Sequence, residues 1–233
     1  KEFLQRRYPS DGFSVSFFFF FLLDYDESVL RERIKKIAAK KKFVVGLIGA
    51  LTTKAKGLGV AIKAISFLKE VSNKLELRVL GSGDAVDWRR FARKCGVVDK
   101  VCFDGVLPSG KHVMKWLDGL DIYIQPSFQE GLPRALVEAM SRGLPALGSS
   151  VGGIPELLPS YCLHEPGDSS KLAELLTDVT SASPQRLIEM GTRNFEFVSE
   201  YQRCKMQEKR DYFWGKFLRE VTEYSRKSGR DKT

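Results

Sequence analysis

Asp121-Ile122-Tyr123-Ile124-Gln125-Pro126-Ser127-Phe128-Gln129-Glu130-Gly131-Leu132-Pro133-Arg134-Ala135-Leu136-Val137-Glu138-Ala139-Met140 reads as strand, turn and helix in one stretch. The run Asp121–Gln125, with Ile122-Tyr123-Ile124 apolar at its centre, reads as a strand. Pro126-Ser127 ends it. Pro133 suits a first helical position, so a helix is expected over residues 133–142, stopped by Gly143. The unit carries two carboxylates, Glu130 in the turn and Glu138 about one turn into the helix. Free backbone N–H groups at a helix start attract phosphate or sugar oxygens. Carboxylates accept charge-assisted hydrogen bonds from sugar hydroxyls. A polyhydroxylated anionic ligand fits this arrangement.

Working outward, the same unit repeats. Phe43–Ile48, Leu75–Leu80, Val101–Phe103 and Leu144–Leu147 read as strands, with a short sixth near Tyr161–Leu163. Leu58, Ala61, Ile62, Ile65 and Leu68 recur at helical spacing, and residues 85–95 and Lys111–Leu117 read as further helices. Strands alternating with helices predict an α/β fold, a doubly wound parallel sheet. Beyond 168 the pattern is helical, with segments at 169–180, 184–200 and 205–224. Ligands of such sheets bind beyond the carboxyl ends of the strands. Gly49, Gly81, Gly105, Ser127 and Ser149 all follow strand ends, so these turns and the Glu130 loop converge on one edge.

The chain has 233 residues and a formal net charge of +9, with 43% hydrophobic residues to supply a core. Basic residues crowd two places, 31–42 and the stretch after Tyr201. They read as solvated helix faces, or as attraction to an anionic membrane surface or a lipid-linked substrate. No aromatic-interleaved basic motif points to nucleic acid. Cys95, Cys102, Cys162 and Cys204 lack paired spacing and read as buried small hydrophobes in a reducing cytosol. The two histidines, His112 and His164, offer no metal-ligand pattern, so no metal is expected. Phe13–Leu23 is very apolar but shorter than the ~20 residues of a spanning helix, and a buried strand is expected there. A short helix over Glu2–Arg7 and a basic helix over Glu27–Lys42 flank it.

Taken singly, the motifs are weak. Lys56-Gly57 before a helix can reach a diphosphate as a point charge, but GxxxxGK[ST] is absent. Gly81-Ser82-Gly83 lacks the third glycine of a dinucleotide fingerprint. Paired carboxylates also suggest glycoside hydrolysis, which needs them to flank one bond; a loop and its following helix do not provide that. Neither an epimerase's acid/base set nor a phosphorylase's Schiff-base lysine is recognisable.

Taken in order, the motifs resemble one family. Gly49…Lys56-Gly57, Val79-Leu80-Gly81-Ser82-Gly83, Val101–Gly105, Asp121–Ser127, Glu130 to Glu138, Gly143-Leu144-Pro145 and Val151-Gly152-Gly153-Ile154-Pro155-Glu156 look like the C-terminal, donor-binding domain of the group 1 (family 4) retaining glycosyltransferases of GT-B fold. The resemblance covers roughly residues 43–180. It implies a Rossmann-like half-fold and a nucleotide-sugar substrate, with a UDP-sugar favoured as a prior and no further cofactor. It implies that Lys56 holds the donor diphosphate and acts with Glu130 in catalysis. Glu130 would contact the transferred sugar, beside the backbone of Gly131 and Leu132. Glu138 would bind the ribose. Gly105-Val106 would lie against the base, with Gly49, Gly81 and Ser127 completing the donor site. The reaction implied is transfer to a polysaccharide or lipid-linked acceptor in cell-envelope biosynthesis, in the cytoplasm, possible at the inner face of the membrane through the basic segments.

Two departures stand out. The family's usual Arg after the first-strand glycine is Ala50 here, with Lys54 a nearby cation that could replace it. The acceptor-binding N-terminal domain is mostly missing. The resulting division is 1–42, the end of that domain plus linker; 43–200, the donor-binding domain; and 201–233, a C-terminal helix and basic tail. The alternative is a nucleotide-sugar-binding module that has lost catalysis.

Overall fold

The computed structural model of the chain describes residues 22, 25–37, 42–68 and 75–228, with side chains as far as 222. The expected helix over Glu2–Arg7 and most of the Phe13–Leu23 run lie outside the described residues. Six strands form one sheet: β1 (Phe43–Ile48), β2 (Leu75–Leu80), β3 (Val101–Gly105), β4 (Ile122–Gln125), β5 (Ala146–Ser149) and β6 (Leu163–His164). Their order is β3-β2-β1-β4-β5-β6, and every neighbouring pair is parallel. This is the α/β doubly wound, Rossmann-like architecture. The chain runs from β1 out to β3 and then returns to add β4 on the other side of β1. That reversal opens a crevice between β1 and β4.

The central strands are buried on both faces, as a parallel sheet requires. Val45, Leu77, Ile122, Tyr123 and Ile124 are wholly inaccessible. Helices α2 (Leu58–Phe67), α3 (Val86–Lys94), α4 (Lys111–Asp118), α5 (Arg134–Met140), α6 (Ile154–Leu157), α7 (Ser169–Thr180) and α8 (Pro184–Phe197) cover the sheet. Asp168 and Ser183 cap α7 and α8 through side chains that accept from Lys171 N and Arg186 N.

The first helix, α1, spans Glu27–Ile37 rather than the expected Glu27–Lys42, with 38–41 outside the described residues. Its basic block is only partly a solvated face. Arg33 is 4% exposed and donates to Arg142 O at 3.1 Å, Leu117 O at 3.2 Å and Leu120 O. It thereby ties α1 to the end of α4 and the turn after α5. Burial pulls its guanidinium below the usual arginine range, while Asp118 and Asp121 oppose that shift.

Strand β5 begins two residues later than expected. Pro145 has no N–H for the ladder and contributes only its carbonyl, which accepts from Tyr123 N at 2.9 Å. Pro133, expected inside the helix, instead occupies the capping position, and α5 starts at Arg134. The cysteines divide. Cys162 is buried and its thiol is pushed up to about 11, but Cys102 and Cys204 are exposed and Cys95 is half-buried. The expectation of four buried thiols holds for one.

Two compact units can be distinguished. Asp24–Ser199 holds the sheet and its helices; Lys1–Leu23 with Glu200–Thr233 forms the other. In the second, Leu22 bridges Gln202 in parallel, and α9 (Arg203–Ser228) follows. Glu200 pairs with Lys205 and Lys209 at the start of α9. Phe213, Trp214 and Phe217 cluster along this helix, with Trp214 about half exposed. No helix among the described residues is long and apolar enough to cross a membrane.

Candidate functional site

At the crevice where the strand order reverses lies a cleft of about 460 Å³. Gly49, Lys56, Gln125, Glu130, Arg134 and Glu138 line it, together with Leu132 and the Ser109-Gly110 turn before α4.

Two glycines shape the loop after β1: Gly57 lets it press against the loop after β4, and Gly49 lets it fold back on itself. Gly57 has φ +70, a left-handed conformation, and a Cβ there would stand 1.8 Å from Pro126 O. A Cβ on Gly49 would meet Lys56 Cβ and Cγ at 2.7 Å. Between the glycines, Lys54–Lys56 makes a 3₁₀ turn capped by Thr53 Oγ1, which accepts from Ala55 N. Phe128 N donates to Ala55 O at 2.8 Å, locking the loops together. This sets the Lys56 ammonium at the mouth of the crevice.

Glu130 is the centre of the site. Its Oε1 accepts from Lys56 Nζ at 2.7 Å, from Gln125 Nε2 at 2.8 Å and from Ser127 Oγ at 2.8 Å. The side chain is only 7% exposed, against 33% for Lys56. Behind it the chain of bonds continues. Gln125 Nε2 also donates to Ser127 Oγ at 2.9 Å, and Tyr123 OH donates to Gln125 Oε1 at 2.8 Å. Burial pushes the Tyr123 phenol upward, so it stays a donor. Ser149 Oγ donates to Ser127 O at 2.6 Å, bringing β5 into the same support. The Glu130–Gly131 backbone rests on the turn after β5: Gly153 N donates to Gly131 O at 2.8 Å, and a Cβ on Gly152 would sit 2.1 Å from Glu130 O. A loop carboxylate held by an ammonium, an amide and a hydroxyl, with strands beneath it, is oriented before any ligand arrives.

Glu138 lies on the inner face of α5 and is 8% exposed. Its Oε1 accepts from Arg134 Nε at 2.7 Å. The structure thus brings Gly49, Lys56, Glu130, Leu132 and Glu138 to one cleft, with Ser127 and Gly131 supporting Glu130. Gly81 and Gly105 lie off that lining. Gly81 N donates to Gly105 O at 2.7 Å, and a Cβ on Gly81 would stand 1.9 Å from Gly49 O, so both glycines knit the strand ends together. Val106 is 68% exposed beyond them. Lys54, the expected substitute for an arginine at Ala50, does not join Lys56. Two residues apart on a 3₁₀ turn they face different sides, and Lys54 lines a separate cavity of about 600 Å³ with Trp88, Phe91 and Phe128. Among the described residues no His, Cys, Asp or Glu cluster could hold a metal ion.

Sequence reasoning missed Tyr123, Gln125 and Arg134. Gln125 could have been found: a polar side chain closing an apolar strand must have partners. Arg134 carried no comparable signal.

A family model described as glycosyl transferases group 1 matches residues 42–181. Protein CapJ of Staphylococcus aureus is 34% identical over 176 residues, covering 76% of this chain and 44% of that protein. The amylovoran biosynthesis glycosyltransferase AmsK of Erwinia amylovora is 38% identical over 137 residues, covering 54% of this chain and 33% of its own length. The chain therefore spans less than half the length of these relatives. Among solved structures, sucrose-phosphate synthase from Thermosynechococcus elongatus superposes with a TM-score of 0.71 at 17% identity, covering 93% of this chain and 56% of that one. HepE of Anabaena, solved in complex with UDP and glucose, gives 0.65 at 18% identity, covering 83% and 52%. At these identities the structural likeness speaks for the fold.

Proposed function

We propose, because the chain belongs to the group 1 glycosyltransferases, that the cleft between β1 and β4 binds a nucleotide-diphosphate sugar, and that this sequence is mainly the donor-binding half of a retaining hexosyl-type enzyme. The observation that carries the reading is Glu130, a carboxylate fixed by Gln125, Ser127 and Lys56 at the crevice mouth. Sugar hydroxyls are donors and diphosphates are anions. A fixed carboxylate beside an ammonium serves both at adjacent points of one ligand.

In this reading Glu130 orients the transferred sugar through its hydroxyls, and Glu138 takes the ribose. Lys56 neutralises the charge that grows on the diphosphate as its bond to the sugar breaks. That role needs no resident metal or cofactor. The acceptor, a polysaccharide or lipid-linked saccharide, would be bound outside this cleft, and the donor-binding half by itself would be inactive. AmsK, a relative named for amylovoran biosynthesis, supports a place in polysaccharide synthesis. The basic, aromatic helix α9 fits a peripheral position on an anionic inner membrane face.

Calorimetry with UDP, GDP, ADP and their sugar conjugates tests the reading. Saturable binding of one nucleotide, lost in Glu138→Ala, supports it and names the base. No binding to any of them would remove the donor site.

A further inference from the structure

The cleft contains a second cation. Arg134 lines the same wall as Lys56, and its Nε holds Glu138 Oε1 at 2.7 Å, just as Lys56 Nζ holds Glu130 Oε1 at 2.7 Å. Each carboxylate of the cleft is therefore masked by one cation. The partners within each pair differ in their surroundings. The side chains of Glu130 and Glu138 are 7% and 11% exposed, whereas those of Lys56 and Arg134 are 33% and 54% exposed. Glu130 is pinned by Gln125 and Ser127, and Glu138 sits on the buried face of α5. The carboxylates belong to the framework, and the cations are the partners that reach solvent.

The geometry points to Arg134 as a phosphate-binding residue of the donor site, one that leaves Glu138 for the diphosphate when the ligand enters. This rests on the reading of the cleft as a nucleotide-sugar site. The exchange conserves hydrogen bonding. Hydroxyls of the ligand replace the cations as donors to Glu130 and Glu138, and phosphate oxygens replace the carboxylates as acceptors for Lys56 and Arg134. Each charged group thus keeps a hydrogen-bond partner, which limits the cost of breaking the two ion pairs. A diphosphate has two phosphoryl groups. Lys56, beside the sugar-binding carboxylate, offers a point charge to one, and the planar fork of Arg134, beside the ribose-binding carboxylate, matches the oxygens of the other.

The test uses the whole 233-residue chain and calorimetry with matched diphosphates and monophosphates (UDP and UMP, GDP and GMP, ADP and AMP) and with inorganic pyrophosphate. Arg134 stands beside the ribose-binding carboxylate and so beside the phosphoryl group that carries the ribose, which diphosphate and monophosphate share; Arg134→Gln is therefore expected to weaken both about tenfold or more, in keeping with one lost charge-assisted bond. Arg134→Gln also unmasks Glu138, which would repel any anion. Pyrophosphate, which has no ribose, is therefore measured in a Glu138→Gln chain as well. There the Glu138 carboxylate no longer competes for Arg134, so pyrophosphate should bind at least as tightly as to the natural chain, and adding Arg134→Gln should again cost about tenfold. Diphosphate binding unchanged by Arg134→Gln, or pyrophosphate binding indifferent to Arg134→Gln once Glu138 is neutral, would overturn the assignment while leaving the donor site standing. A natural chain that binds neither a nucleoside diphosphate nor pyrophosphate would overturn the donor site and this role together.

Discussion

Tyr123 touches nothing outside the protein, yet it governs the aim of the central carboxylate. Its hydroxyl fixes Gln125, and Gln125 fixes Glu130. Tyr123→Phe leaves Gln125 Oε1 without that donor inside the sheet, a loss of about 1 kcal/mol; urea unfolding should show it, together with weaker nucleotide-sugar binding. Gly57 is constrained by backbone. Gly57→Ala must place a Cβ at φ +70, 1.8 Å from Pro126 O, and should cost about 2 kcal/mol or more, read as a lower thermal midpoint. His164 offers a pH signature. It is buried, its Nδ1 lies 2.8 Å from Glu165 O, and its Nε2 has no partner among the described residues. Burial lowers its pKa below 6.5, against the opposing pull of Asp168 and Glu165. As pH falls through 6.5 the unfolded chain takes up the proton first, so stability falls until the folded value is passed. Thermal midpoints should therefore drop as pH falls through 6.5, and His164→Gln should flatten that slope. Lys56, Glu130 and Glu138 were legible in the sequence because they sit in motifs. Tyr123, Gln125 and Arg134 were not, because their roles consist of contacts made across the fold rather than of spacing along the chain.

Among the elements, the strands and helices of the repeating part were readable because most strands carry an apolar run or an apolar alternation and most helices are punctuated by Gly or Pro. The errors came where one residue serves two purposes. Pro145 lies in an apolar run yet cannot donate, so β5 begins after it. The basic composition of α1 hid the fact that one of its arginines points inward. Arg33 supplies donors to three carbonyls. Arg33→Met should detach α1 from α4 and cost about 2–4 kcal/mol, visible as a lower urea midpoint and earlier amide exchange in 27–37. A change at the exposed Lys35 should do almost nothing. The aromatic face of α9 carries a further expectation. With Trp214 and Leu218 exposed on a helix rich in Lys and Arg, vesicles containing anionic lipid should bind the chain more tightly than neutral ones at low salt. Equal binding would end the membrane reading.

At the scale of the whole molecule, the strand order places β1 at the centre, between β2 and a β4 that arrives much later in the chain. A ribosome therefore delivers this central strand before the rest of the sheet, and its second neighbour only after two further βα units. Until Ile122 emerges to pair beside Val45, one edge of β1 stands open and apolar. Contacts of such long sequence separation slow folding and leave intermediates prone to association. The reversal that creates the crevice thus makes the nascent half-sheet the most vulnerable species in the life of this chain. Its yield in a cell should depend on translation speed and chaperone supply as much as on the stability of the finished fold.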